Sequence, residues 1–77
     1  PIPEDLKGLL RSIFGLSNGE ARLAHKLASN GSLPDTLEDL QITRNTAKTH
    51  LRRIYEKTGT QSQLELTQLI LSLGGLF

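Results

Sequence analysis

An all-α fold is what this sequence predicts, and three observations carry the expectation. Leucine, isoleucine and alanine recur at three- and four-residue intervals along most of the chain, the period of helices with one apolar side. No stretch alternates β-branched or aromatic residues with polar ones, as a half-buried strand would. The apolar runs are separated by serine–glutamate pairs at capping-box spacing and by glycines placed where a helix would stop. The expected architecture is a small helical bundle with a helix-turn-helix: an N-terminal helix or linker over residues 1–15, then a four-helix domain over residues 16–77.

Taken in order, Pro3, Glu4 and Asp5 suit a helix start, and Leu6, Leu9, Leu10 and Ile13 follow at helical spacing up to Gly15. This leading segment either packs on the domain or links it to a further one. Ser17-Asn18-Gly19-Glu20 has the S-x-x-E spacing in which serine oxygen and glutamate each satisfy a free backbone N–H, so a second helix begins there. Ala21, Leu23, Ala24, Leu27 and Ala28 form its expected buried side, with Arg22, His25, Lys26 and Ser29 left to water and Asn30-Gly31 as a left-handed stop. Ser32 to Asp35 repeats the start signal, with Pro34 tolerated in a first turn because the N–H it lacks needs no helical partner. This third helix should end near Leu40. Gln41-Ile42 then makes a tight corner, and Thr43 is the N-cap of a fourth helix, which makes the pair a helix-turn-helix candidate. Beyond Gly59, Ser62-Gln63-Leu64-Glu65 is another capping box, for a last helix running to about Leu73. Its apolar residues split: Leu66, Leu69, Ile70 and Leu73 share one side, while Leu64 and Leu71 lie nearly opposite. An exposed leucine pair points to self-association, the plainer readings being fraying or packing on the leading helix.

The fourth helix, TRNTAKTHLRRIYEKTG over residues 43–59, carries most of the functional information. At about 100° per residue, Ala47, Leu51, Ile54 and Thr58 fall in one sector roughly 60° wide, which can face only a core. Asn45, Lys48, Thr49, Arg52 and Arg53 lie on the other side. Five of the nine lysines and arginines in the chain fall here (Arg44, Lys48, Arg52, Arg53 and Lys57), opposed only by Glu56, so the segment is locally +4 in a chain of formal charge +1. A near-neutral total hides a polarised molecule, and a helix of this kind looks built for a DNA groove.

Size and composition narrow the alternatives. Seventy-seven residues make one domain, and a chain of that length buries only about 60% of its unfolded surface, so its stability is expected to be modest. Without cysteine there is no disulfide and no thiolate metal site, which is compatible with a reducing cytoplasm. The apolar stretches fall far short of the ~18 residues of a membrane span, and the opening Pro-Ile-Pro-Glu-Asp is not a signal pattern, so a soluble cytoplasmic protein without a membrane partner is expected. The absence of methionine leaves a removed initiator or a piece of a longer protein, the second being the preferred expectation. His50 sits at the edge of the apolar stripe and His25 on a face expected to be solvated, so neither is read as a metal ligand, and no cofactor is expected. Serine and threonine serve caps, no catalytic triad or carboxylate pair is placed, and no enzyme is expected.

Several spaced segments, taken together and in order, resemble the LuxR-type (GerE-like) C-terminal helix-turn-helix domain of bacterial transcription regulators: LSNGEARLA, LQITRNTAKTHL and IYEKTGTQSQLEL, from about Phe14 to Leu73. The resemblance implies a recognition helix over residues 43–58 that enters the major groove of double-stranded DNA. It places Lys48, Thr49 and Arg52 at base edges, and Thr43, Arg44, Asn45, Thr46, Arg53 and Lys57 at phosphates. It also implies a homodimer on an inverted repeat, with Leu64, Gln68 and Leu71 at the two-fold axis, and a sensory domain N-terminal to this one. Gln41 stands where such domains usually have glycine, where a left-handed backbone would cost about 1 kcal/mol. Thr36 and Leu37 replace an apolar residue and a small alanine, which predicts that the two helices of the motif are pushed apart or locally repacked. Two other readings share these features: a sigma-factor-like promoter-reading domain, and a helical protein-interaction module that uses its leucine faces and no longer reads DNA.

Overall fold

The second helix is the axis on which the other four pack. A computed structural model describes residues 6–74, and these form α1 (Leu6–Phe14), α2 (Asn18–Asn30), α3 (Leu33–Leu40), α4 (Arg44–Thr58) and α5 (Gln63–Gly74), with no strand among the described residues. Contacts from α2 reach each of the other helices. The core is a single cluster drawn from every helix except α3: Leu6 and Leu10 of α1, Leu23 and Leu27 of α2, Ala47, Leu51 and Ile54 of α4, and Leu66 and Ile70 of α5. Leu33, Leu37 and Leu40 of α3 cover it from outside as half-buried residues. The leading helix therefore packs on the domain and shares its core, rather than standing off as a linker. Its expected start at Pro3, Glu4 and Asp5 lies outside the described residues.

The ends of the helices follow local chemistry. Ser17 Oγ accepts from the Glu20 N–H at 3.2 Å and Glu20 Oε1 accepts from the Ser17 N–H at 3.0 Å, a complete capping box, and Gly31 closes α2 in the left-handed region at φ 72°. The box at α5 is a variant: Ser62 Oγ accepts from the Glu65 N–H, but the Glu65 carboxylate reaches one residue further back, to the Gln61 N–H at 3.2 Å.

Two expectations need correction. Ser32 precedes α3 but its side chain caps nothing; its carbonyl instead accepts from the Thr36 hydroxyl at 2.8 Å. That bond lets a fully buried threonine sit where an apolar residue was expected, with its one donor satisfied. His25 is not solvated but 5% exposed. The reason is the central place of α2: a helix enclosed by four neighbours buries a wider arc than the single stripe of a peripheral helix, and His25 lies on the edge of that arc.

Candidate nucleic-acid interface

The corner between α3 and α4 sets the pose of the cationic helix. Gln41 takes the left-handed conformation (φ 55°, ψ 45°), the only non-glycine residue at positive φ among those described. Its N–H donates to the Glu38 carbonyl at 3.3 Å and the next N–H, of Ile42, donates to the Leu37 carbonyl at 3.2 Å. This is the double bond pattern of a Schellman motif, with half-buried Ile42 and Leu37 available for its usual apolar contact. Two residues later Thr43 (φ −79°, ψ 161°) caps α4, its Oγ1 accepting from the Thr46 N–H at 3.2 Å. Gly59, at φ 75°, ends the helix by donating to the Tyr55 carbonyl at 2.9 Å.

Between those ends, one side of α4 is sealed and the other is open. Ala47 and Ile54 are fully buried and Leu51 is 8% exposed. Arg44, Asn45, Thr46, Lys48, Thr49, Arg52 and Arg53 are all exposed. Among the described residues, the four cations in that set form no ion pair, although Glu56 is one helical turn from Arg52 and Arg53. The threonines are partly engaged with their own helix: Thr49 Oγ1 donates to the Asn45 carbonyl at 3.2 Å, and Thr43 Oγ1 donates to Thr46 Oγ1 at 3.0 Å. Thr49 thus has its methyl group and oxygen lone pairs left to offer.

Lys57 differs from the other cations of this helix. Its Nζ donates to Glu20 Oε1 at 2.7 Å and to the Gly15 carbonyl at 3.2 Å, which ties the C-terminal end of α4 to the α1–α2 junction. The Glu20 side chain is 3% exposed. Burial alone would raise its pKa, but the Lys57 ammonium and the Ser17 N–H, with a smaller effect from His50, hold it below the usual 4.5. The residue placed at a phosphate by sequence is therefore, in the free protein, an anchor for α4. Nothing in the sequence pairs Glu20 with Lys57, because they are 37 positions apart and Glu20 already has a sufficient local role as a cap.

On the other flank of α4, Lys48, Leu51, Arg52 and Tyr55 border a shallow groove with Thr60 and Gln61. Burial pushes the Tyr55 phenol above its usual 10.0, so it remains a neutral donor. On α5, Leu66 and Ile70 are buried whereas Leu64 is 66% and Leu71 51% exposed, with exposed Gln68 between them. The three positions assigned to a two-fold axis thus share one outward face. No group of histidines and carboxylates among the described residues is placed to hold a metal ion. No described helix is long and apolar enough to cross a membrane.

No family model, no curated protein and no solved structure matches the chain. The meaning of this surface rests on its own residues.

Proposed function

We propose that this protein is a sequence-specific double-stranded DNA-binding module of a bacterial transcription regulator, of the LuxR type, with α4 as its recognition helix in the major groove. The observation that carries the reading is the row of unpaired, exposed cations on a helix whose opposite side is sealed into the core and whose start is set by a tight capped corner. A helix that is merely solvated gains from intrahelical ion pairs. This one leaves Arg52 and Arg53 unpaired beside Glu56, an arrangement that makes sense if a polyanion supplies the missing charge.

Lys48 and Arg52 are the base readers, since lysine and arginine donate to the O6 and N7 acceptors of guanine, and the Thr49 methyl suits thymine. Thr43, Arg44, Asn45, Thr46 and Arg53 lie around them as phosphate contacts, which set register and supply affinity without sequence information. Leu64, Gln68 and Leu71 join two copies on an inverted repeat, the recognition helices about 34 Å apart. The same reading carries a cytoplasmic setting and a sensory domain elsewhere in the regulator.

Duplex binding followed by fluorescence anisotropy tests the assignment. Lys48→Ala and Arg52→Ala should each cost about 1–3 kcal/mol on the preferred site while leaving the helical circular dichroism intact. An unchanged site preference in the double variant would refute these as base readers. A second reading, a helical protein-interaction module, is favoured by the exposure of Leu64 and Leu71. It predicts salt-insensitive association on a sizing column and no retention of duplex DNA.

A further inference from the structure

We propose a second phosphate-binding element on the same molecule: a cationic cleft between α1 and α2 that holds the DNA backbone beside the groove occupied by α4. The inference rests on the DNA-binding reading above and extends it to residues that no helix-turn-helix pattern singles out.

The cleft has a volume of about 210 Å³ and is bordered by Lys7, Arg11, Asn18, Ala21 and Arg22. Three of the nine cations of the chain thus converge from two helices, and among the described residues no carboxylate lines the space. Arg11 and Arg22 are exposed and form no ion pair among the described residues. Asn18 marks the first turn of α2, where the helix dipole adds positive potential to the same spot. Two guanidinium groups in such a setting favour a tetrahedral oxyanion, which each can engage through two N–H donors.

Continuity with α4 identifies the phosphate as that of DNA rather than of a small ion. Arg22 also borders a smaller recess with Leu40, Ile42 and His50, which are the corner of the helix-turn-helix and the near flank of α4. Contact there is close, since a Cβ built on Gly19 of α2 would lie 3.5 Å from the His50 ring. Around α4, Thr46 and Arg53 are the exposed residues next to His50, each about 40–60° further from the core at 100° per residue. One face therefore runs from Arg53 and Thr46 past His50 to Arg22, Arg11 and Lys7. A strand flanking the groove would meet the α4 phosphate contacts first and the cleft next.

The test measures affinity against salt for the intact chain on a duplex carrying its selected site and on random duplex. Variants are Arg11→Ala/Arg22→Ala, Arg11→Lys/Arg22→Lys and Lys48→Ala/Arg52→Ala. The alanine pair at the cleft should weaken binding to every sequence and make the slope of log K against log salt shallower by about 2 per bound protomer, with base preference unchanged. The lysine pair should restore the slope, which counts neutralised phosphates, while its affinity stays below wild type for want of the paired N–H donors. Neutral methylphosphonate linkages flanking the core site should weaken the wild type more than the alanine pair, which keeps only the α4 phosphate contacts. A wild-type slope in Arg11→Ala/Arg22→Ala, or an altered base preference, would overturn the cleft. If that occurs while Lys48→Ala/Arg52→Ala still abolishes preference, the cleft alone fails. If the wild type retains no duplex at all, the DNA reading fails and the cleft with it.

Discussion

At Gln41 a glutamine does what glycine does at lower cost. Its left-handed backbone is what lets α3 stop at Leu40 and α4 start at Arg44, so the strain is part of the corner and not incidental to it. Gln41→Gly should raise stability by about 0.5–1 kcal/mol, the steric relief being partly offset by the greater freedom of glycine in the unfolded chain. Urea unfolding checks this, and a loss of stability would mean that the side chain contributes something the corner needs. Glu20 makes a second residue-scale prediction. Its pKa is depressed on folding, so its contribution to stability is present above the ordinary carboxylate range and is lost as pH falls through the lowered value. Glu20→Gln should destabilise by about 1.5–3 kcal/mol near neutrality, the range for hydrogen bonds to a charged group. The gap to wild type should shrink on acidification below pH 4.5. A gap independent of pH would mean that the charge is not what matters. The cap made by Glu20 was legible in the sequence, because both its partners lie within one turn. Its ion pair was not, because only the packing of α4 on α2 brings Lys57 to it.

Among the helices, the signals that proved readable were those confined to one turn: the capping box at Ser17, the left-handed glycines, and the narrow stripe of α4. Where an outcome depended on how many neighbours a helix has, periodicity was a poorer guide. His25 of α2 is buried because four helices surround its own, and Ser32, just before α3, gives its carbonyl rather than its hydroxyl because Thr36 must be satisfied in the interior. The split pattern of α5 was legible, with Leu66 and Ile70 inward and Leu64 and Leu71 outward. Leu64→Arg/Leu71→Arg should therefore leave the fold intact and abolish cooperative occupation of two half-sites, lowering affinity for an inverted repeat to that for a single half-site. Gel shifts on whole and half sites check it. If occupation of the whole site stays cooperative, the dimer face lies elsewhere.

For the whole molecule, the organising fact is charge that nearly cancels in sum and separates in space. The cations of α4 and of the α1–α2 cleft lie on elements joined through Arg22 and His50, whereas the buried carboxylate of Glu20 is committed to Lys57 and holds α4 in position. The α4 half of that arrangement was readable from one helix. The cleft was not, since Lys7, Arg11 and Arg22 meet only when α1 folds onto α2. The account as a whole stands on α4 reading bases, and selection of bound oligonucleotides from a random duplex pool tests that most directly. A two-fold symmetric consensus whose half-sites are lost from the Lys48→Ala/Arg52→Ala selection is the predicted result. Recovery of a pool no different from the starting one, or of the same consensus by the variant, would contradict it.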